Sequence, residues 1–298
     1  MLRLLNKILK NIPAHRRGLV YISFTALLWS SSGLFIKILK LDAFQISFYR
    51  SGIAALTVFA ITTLRHKKVN LHFDRISLLS SVFFAGILIL FVMATKMTTA
   101  ANAIFLQFTA PIYLLVLEPL FLKTKFEKKN LLTLIICFCG MILFFFGKLE
   151  LGNIYGNILA IISGMCFAMF ALLLKKKKLS GIAEGSLNAV IIGNALVAVI
   201  CVFLIPSFTL TGTEIVILLY MGIFQIGISY MIFNEGIKYV SATESMIIAT
   251  MEAIFNPIWV FLGIGEVPSP YAILGAIIIL SAILWRNLGK KEIVDLSD

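Results

Sequence analysis

Acidic side chains are scarce in this chain. Its 298 residues hold 14 Asp and Glu against 26 Lys and Arg, and charged residues make up 13% of the total. Soluble domains carry nearer ~25%, so no segment is both polar and long enough to build a water-soluble core. Histidine is rarer still: His15, His66 and His72 lie in N-terminal or connecting segments. There is no H-E-x-x-H pair, no G-x-S-x-G nucleophile elbow and no Walker loop to cradle phosphates. Cys137, Cys139, Cys166 and Cys201 all fall in apolar stretches without C-x-x-C spacing. They read as thiols packing like small hydrophobes, not as a disulfide framework or zinc site. No cofactor and no metal is expected, and no cleavable secretory signal stands out.

What is present is apolar length. Ten stretches approach the ~20 residues that a helix rising ~1.5 Å per residue needs to cross a ~30 Å hydrocarbon core. They run over 18–39, 43–64, 76–95, 99–122, 130–147, 153–174, 184–205, 213–234, 241–263 and 270–288. The predicted fold is an all-α membrane protein of ten transmembrane helices, with the lipid bilayer as its solvent. The formal net charge of +12 does not point to nucleic acid, because the basic residues sit in short connections. With the N-terminus in the cytoplasm, 21 of the 26 Lys and Arg fall on the cytoplasmic side. Lys37, Lys40, Lys96 and Lys148 fall opposite, and Arg50 lies within a span. The positive-inside rule therefore predicts both termini cytoplasmic. Leu5, Ile8, Leu9 and Ile12 share a face that Arg3, Lys7 and Lys10 avoid. A short helix on the anionic inner leaflet fits that pattern, and so does a disordered basic tail.

The two halves are alike. Residues 96–105 read KMTTAANAIF and residues 238–247 read KYVSATESMI; Gly140 and Gly275 sit in the last helix of each half. Five helices per copy is an odd number, so the second copy must be inserted upside down, the arrangement of many carriers. The division expected is a basic N-terminal segment 1–17, a first five-helix repeat 18–147, a second 148–288 and a tail 289–298.

The stretch MEAIFNPIWVFLGIGEVPSPYAILGAIIILSAIL, residues 251–284, resembles the ninth and tenth helices of EamA-type transporters of the drug/metabolite transporter superfamily. Glu252, Pro257, Gly265, Glu266 and Gly275 match that pattern. AANAIFLQFTAPIYLLVLEPLF, with Pro111, is similar to the family's fourth helix, and Arg50 in SFYRSGIAAL matches an arginine of the second. Ala253 departs from it, since many members carry proline directly after the glutamate. The resemblance implies a two-repeat carrier that exports small metabolites, amino acids or drugs.

Charge inside a bilayer is the strongest functional signal, because it costs ~2.5–3.5 kcal/mol on insertion scales. Glu252 falls near the midplane. It reads as a proton-coupling site, as an anchor for a substrate amine, or as a tie to a neighbouring helix. Arg50 can fork onto a substrate carboxylate, or pair with Asp42 or Glu252. Shared helical faces add Asn256 and Trp259 to Glu252, and pair Gln45 with Tyr49 beside Arg50. They also align Asn102, Thr109 and Tyr113, Trp29 and Ser32, and Gln225 and Ser229. Each taken singly is better read as interhelical glue; together they suit a small organic molecule. Pro111 and Pro257 are hinge candidates. Glu118 is expected near Lys123 or water, and Glu266 at a turn.

The reading is a multi-pass protein of a bacterial cytoplasmic (inner) membrane, monomer or homodimer. It exports a small metabolite, an amino acid or a relative, by alternating access. Proton coupling rests on Glu252. A membrane-embedded enzyme or a channel is the alternative; saturation and counterflow separate a carrier from both.

Overall fold

A chain in hydrocarbon must satisfy its own backbone, and helices do so within one segment. In a computed structural model the described residues are 9, 11–66, 74–144, 146, 153–180, 187–264 and 269–287. The side chains of 65, 66, 256–258, 260, 261, 263 and 264 lie outside that description. Among the described residues the regular structure is helical throughout. The helices are α1 (Ala14–Trp29), α2 (Ser32–Ile38), α3 (Ala43–His66), α4 (Arg75–Met97), α5 (Ala100–Gln107) and α6 (Ala110–Leu122). There follow α7 (Lys128–Phe144), α8 (Ile154–Leu179), α9 (Asn188–Val202) and α10 (Gly212–Tyr220). A π-helical stretch (Met221–Ile228) joins α10 to α11 (Ser229–Gly236), and α12 (Ala242–Ala249), α13 (Met251–Ile264) and α14 (Pro270–Asn287) complete the bundle.

Among the described residues, seven helical runs are long and apolar enough to cross a membrane. The exterior agrees: Leu56, Val116, Val216 and Leu284 are 71%, 66%, 67% and 65% exposed. Ser47, Ser51, Gln225 and Arg50 are buried instead. The exterior is thus apolar, as a lipid-facing surface is, and the largely hydrophobic interior holds polar and charged side chains as well.

The matched sequence segments fold alike. Thr99 accepts a hydrogen bond from the Asn102 backbone N–H to cap α5, and Ser241 accepts one from Glu244 to cap α12. Both helices are 8 residues long, and both end in a break, at Phe108–Thr109 and at Thr250. Pro111 therefore lies in the first turn of α6, where no backbone N–H is needed, rather than in a continuous helix. Gly140 and Gly275 are in contact where α7 packs on α14. A Cβ on Gly275 would stand 2.5 Å from Gly140 O and 2.6 Å from Phe144 N, so the two backbones touch as only glycine permits.

The α1–α2 break at Ser30–Ser31 and the π-helical stretch have no counterpart in the other half. There, α8 and α4 run unbroken. These two continuous helices pack on each other, while α1 packs on α11 and α12. Of the expected surface helix at the N-terminus, Leu9 is buried in the core and Ile12 packs against it; Leu5, Ile8 and the tail lie outside the described residues, as do Gly265, Glu266 and His72.

Candidate functional site

The breaks converge. Trp29 and Ser32 flank the first, Gln107 precedes the second, Gln225 and Ile226 lie in the π-helical stretch, and Glu252 follows Thr250. All six line one central cavity, together with Arg50, Ile87, Leu88, Phe91, Phe167 and Tyr230. Its volume is about 40 Å³, room for a few water molecules and too little for a metabolite. The site is closed.

Arg50 and Glu252 are the two charged residues of its wall. Arg50 is 2% exposed. Its Nη2 donates to the Leu88 carbonyl at 2.9 Å, and its Nε has no hydrogen-bond partner. Glu252 is 4% exposed, with Ser32 beside it. Among the described residues neither forms an ion pair, with the other or with Asp42. Tyr230 lies close enough to sense both charges. A buried ion without a counter-ion is costly, and these two groups face the same small space.

Broken backbone supplies the polar scaffold. Trp29 Nε1 donates to Ser229 Oγ at 2.8 Å, and Gln225 Nε2 donates to Ser31 Oγ at 2.8 Å. The Gln225 Oε1 is buried without a partner. Trp259 Nε1 donates to Ser30 Oγ at 2.6 Å, fixing α13 to the first break. Gln107 Nε2 donates to Ser163 Oγ at 2.8 Å. Trp29 also packs on Tyr230, Phe167 and Phe233, with ring centroids 4.8, 5.4 and 5.4 Å apart.

The structure thus brings Trp29, Ser32, Arg50, Gln225 and Glu252 together at the cavity, with Ser229 and Trp259 bonded to its rim. It places others elsewhere. Gln45 Nε2 donates to Ser207 O at 2.8 Å and Tyr49 Oη to Phe208 O at 3.0 Å, at the end of α9. Asn102 joins Thr98 and Asn157. Thr109 Oγ1 bonds Leu106 O at 2.7 Å and meets the Tyr113 hydroxyl at 3.2 Å. The side chains of Asn256 and Pro257 lie outside the described residues. Gln107 and Tyr230 are the polar wall residues that sequence reading did not single out; Gln107, eight residues after the Thr99 cap, was findable as the end of a short capped helix. Glu118 does not turn to Lys123 or water: it accepts hydrogen bonds from Ala242 and Thr243. No group of side chains suited to a metal ion occurs among the described residues.

Comparison with known proteins agrees with this architecture. A solved crystal structure superposes with a TM-score of 0.77 at 14% identity, covering 91% of this chain and 97% of its own. A relative from Archaeoglobus fulgidus, described as an uncharacterized transporter, is 24% identical over 289 residues, 91% of this chain and 97% of its own length. Solute carrier family 35 member G1 of Mus musculus is 25% identical over 290 residues, covering 91% of this chain and 78% of that protein. The sequence model of the EamA-like transporter family matches twice, over residues 16–146 and 154–288. The chain is therefore a multi-pass membrane protein of the drug/metabolite transporter superfamily, and it belongs to the EamA-like transporter family.

Proposed function

We propose that this protein is a secondary carrier of ten spans, built as two inverted five-helix repeats with both termini cytoplasmic. It exports a small zwitterionic metabolite, of the amino-acid kind, across a bacterial inner membrane by alternating access. One observation carries the reading: Arg50 and Glu252 share one small cavity, each buried and, among the described residues, without an ionic partner. A carboxylate on Arg50 and an ammonium on Glu252 would neutralise both. A phosphate would want more cations than the wall offers. The family's two matches, one in each half, support the repeat, and the distribution of Lys and Arg supports the orientation. Carriers place their sites at interrupted helices between repeats, and the breaks at Ser30–Ser31, Phe108–Thr109 and Thr250 support this reading.

Glu252 also serves as the coupling group in this reading. An isolated carboxylate that accepts either a proton or the substrate ammonium exchanges one for the other across the cycle. The test compares spent medium from cells expressing the wild type or an equally abundant, membrane-inserted Glu252→Gln variant. A class of zwitterions should accumulate outside only with the wild type. Equal release by both would reduce Glu252 to a structural role, and release by neither would overturn export of ordinary metabolites.

A further inference from the structure

A second buried polar cluster lies at the end of the bundle where α1, α7 and α12 begin and α14 ends. Arg286 is 1% exposed. Its Nε donates to Asn130 Oδ1 at 2.7 Å, its Nη1 to Glu244, and its Nη2 lies 3.5 Å from Glu127 Oε2. Glu244, also 1% exposed, stands 2.8 Å from His15 Nε2. Beside them Glu118 accepts from the Ala242 and Thr243 backbone N–H groups at 2.8 and 2.7 Å, and from the Thr243 hydroxyl at 2.6 Å.

Two features separate this cluster from ordinary interhelical glue. Its members come from both halves: His15, Glu118, Glu127 and Asn130 from the first, Thr243, Glu244 and Arg286 from the second. It is also ionic. Towards the opposite end, the hydrogen bonds that join the halves among the described residues are neutral, namely Thr98 and Asn102 to Asn157, Gln45 to Ser207 and Tyr49 to Phe208. Glu252 stands eight residues beyond Glu244 on the α12–α13 run, about 12 Å at the helical rise. A hollow of about 160 Å³ lies against Glu118, Glu127, Asn130 and Thr243.

We propose that Arg286, Glu244, Glu127 and Glu118 form a latch that closes the cavity at this end and must part for the cavity to open there. The physical case is reversibility. A buried ion pair is a weak permanent seal, since hydrophobic residues would hold as well. Its groups regain full hydration when they separate into water, however, so the closed and open states stay close in free energy. A two-state element needs that balance. The proposal rests on the carrier reading above.

The test places a single reporter, Ser32→Cys, in the cavity wall of a chain whose four native cysteines are replaced. A membrane-impermeant maleimide is then applied to right-side-out and to inside-out vesicles. Glu244→Gln should raise the labelling rate about tenfold from one face only, the factor that loss of one charge-assisted hydrogen bond carries. Labelling from the other face should stay level or fall. Glu127→Gln, which touches the cluster from its exposed side, should give a smaller rise from the same face, and it keeps the test alive if Glu244→Gln misfolds. An unchanged rate in folded protein would overturn the latch, and so would an equal rise from both faces, which signals general loosening. Labelling from neither face in any variant would instead overturn the carrier reading, since the cavity would never open.

Discussion

Replacing Arg50 by methionine should make the protein more stable and abolish transport, a combination that a structural arginine cannot give. A guanidinium brings five N–H donors. Here one is spent on the Leu88 carbonyl, Nε has no partner, and the group is buried. Methionine fills nearly the same length without a charge. The loss is one charge-assisted hydrogen bond, ~1.5–3 kcal/mol. The gain is the desolvation penalty of an uncompensated ion, several kcal/mol after relaxation. The balance favours the variant by about 2 kcal/mol. At ~2–4 °C per kcal/mol for chains of comparable size, the midpoint of thermal unfolding should rise by about 4–8 °C. Tryptophan fluorescence in detergent reports the midpoint, since Trp29 is buried among aromatic rings. Counterflow of labelled zwitterions in proteoliposomes reports transport. A lower midpoint with transport intact would refute the reasoning and make Arg50 a scaffold residue.

Other outcomes follow from the packing and from one ion pair. Gly275→Ala should cost ~1–3 kcal/mol by overpacking, because the new Cβ meets backbone atoms of Gly140 and Phe144 that cannot rotate away. Gly52→Ala, with nothing within 4 Å of its would-be Cβ, should be neutral or stabilising. Equal midpoints for the two variants would contradict the close contact of α7 and α14. Asp74 caps α4 and pairs with Lys177 Nζ at 2.9 Å. Burial pushes its carboxyl up, but hydrogen bonds from Ser77 and Lys177 outweigh it and hold the group below the usual carboxylate range. The stability it adds is present above the unfolded value near pH ~4 and fades as pH falls further. Unfolding midpoints measured from pH 6 to 3 should therefore converge between wild type and Asp74→Asn on acidification; a constant gap would sink the assignment.

Some of this was written plainly in the sequence. The likeness of 96–105 to 238–247 predicted paired segments, and the structure caps both at Thr99 and Ser241. Trp29, Ser32, Arg50, Gln225 and Glu252 stood out as polar or aromatic residues in apolar runs, and they line one cavity. What the sequence did not show has a common cause. Aligning Asn102 with Thr109 and Tyr113 assumed an unbroken helix, but the break at Phe108–Thr109 resets the face and turns Gln107 to the cavity. Tyr49 precedes Arg50 directly, and successive helical residues point about 100° apart, so one turns inward while the other turns away. Glu118 was assigned a local partner because its real one, the start of α12, is 124 residues away. No local pattern announces such a contact.

The uneven breaks have a consequence for selectivity. Ile87, Leu88, Phe91 and Phe167 sit on the unbroken pair α4 and α8, and Arg50 is tied to that side through Leu88. Glu252 follows a break and lies on the side where the first break and the π-helical stretch meet. In the proposed carrier cycle the site would work like a calliper, with the unbroken pair as one jaw and the broken segments as the other. Arg50 bonds to the unbroken side and Glu252 follows a break, so in the proposed cycle the distance between the two charges would change as the broken segments move. Molecules that differ only in the spacing of their own charges would then be told apart by when in the stroke they are gripped, not by whether they fit at rest.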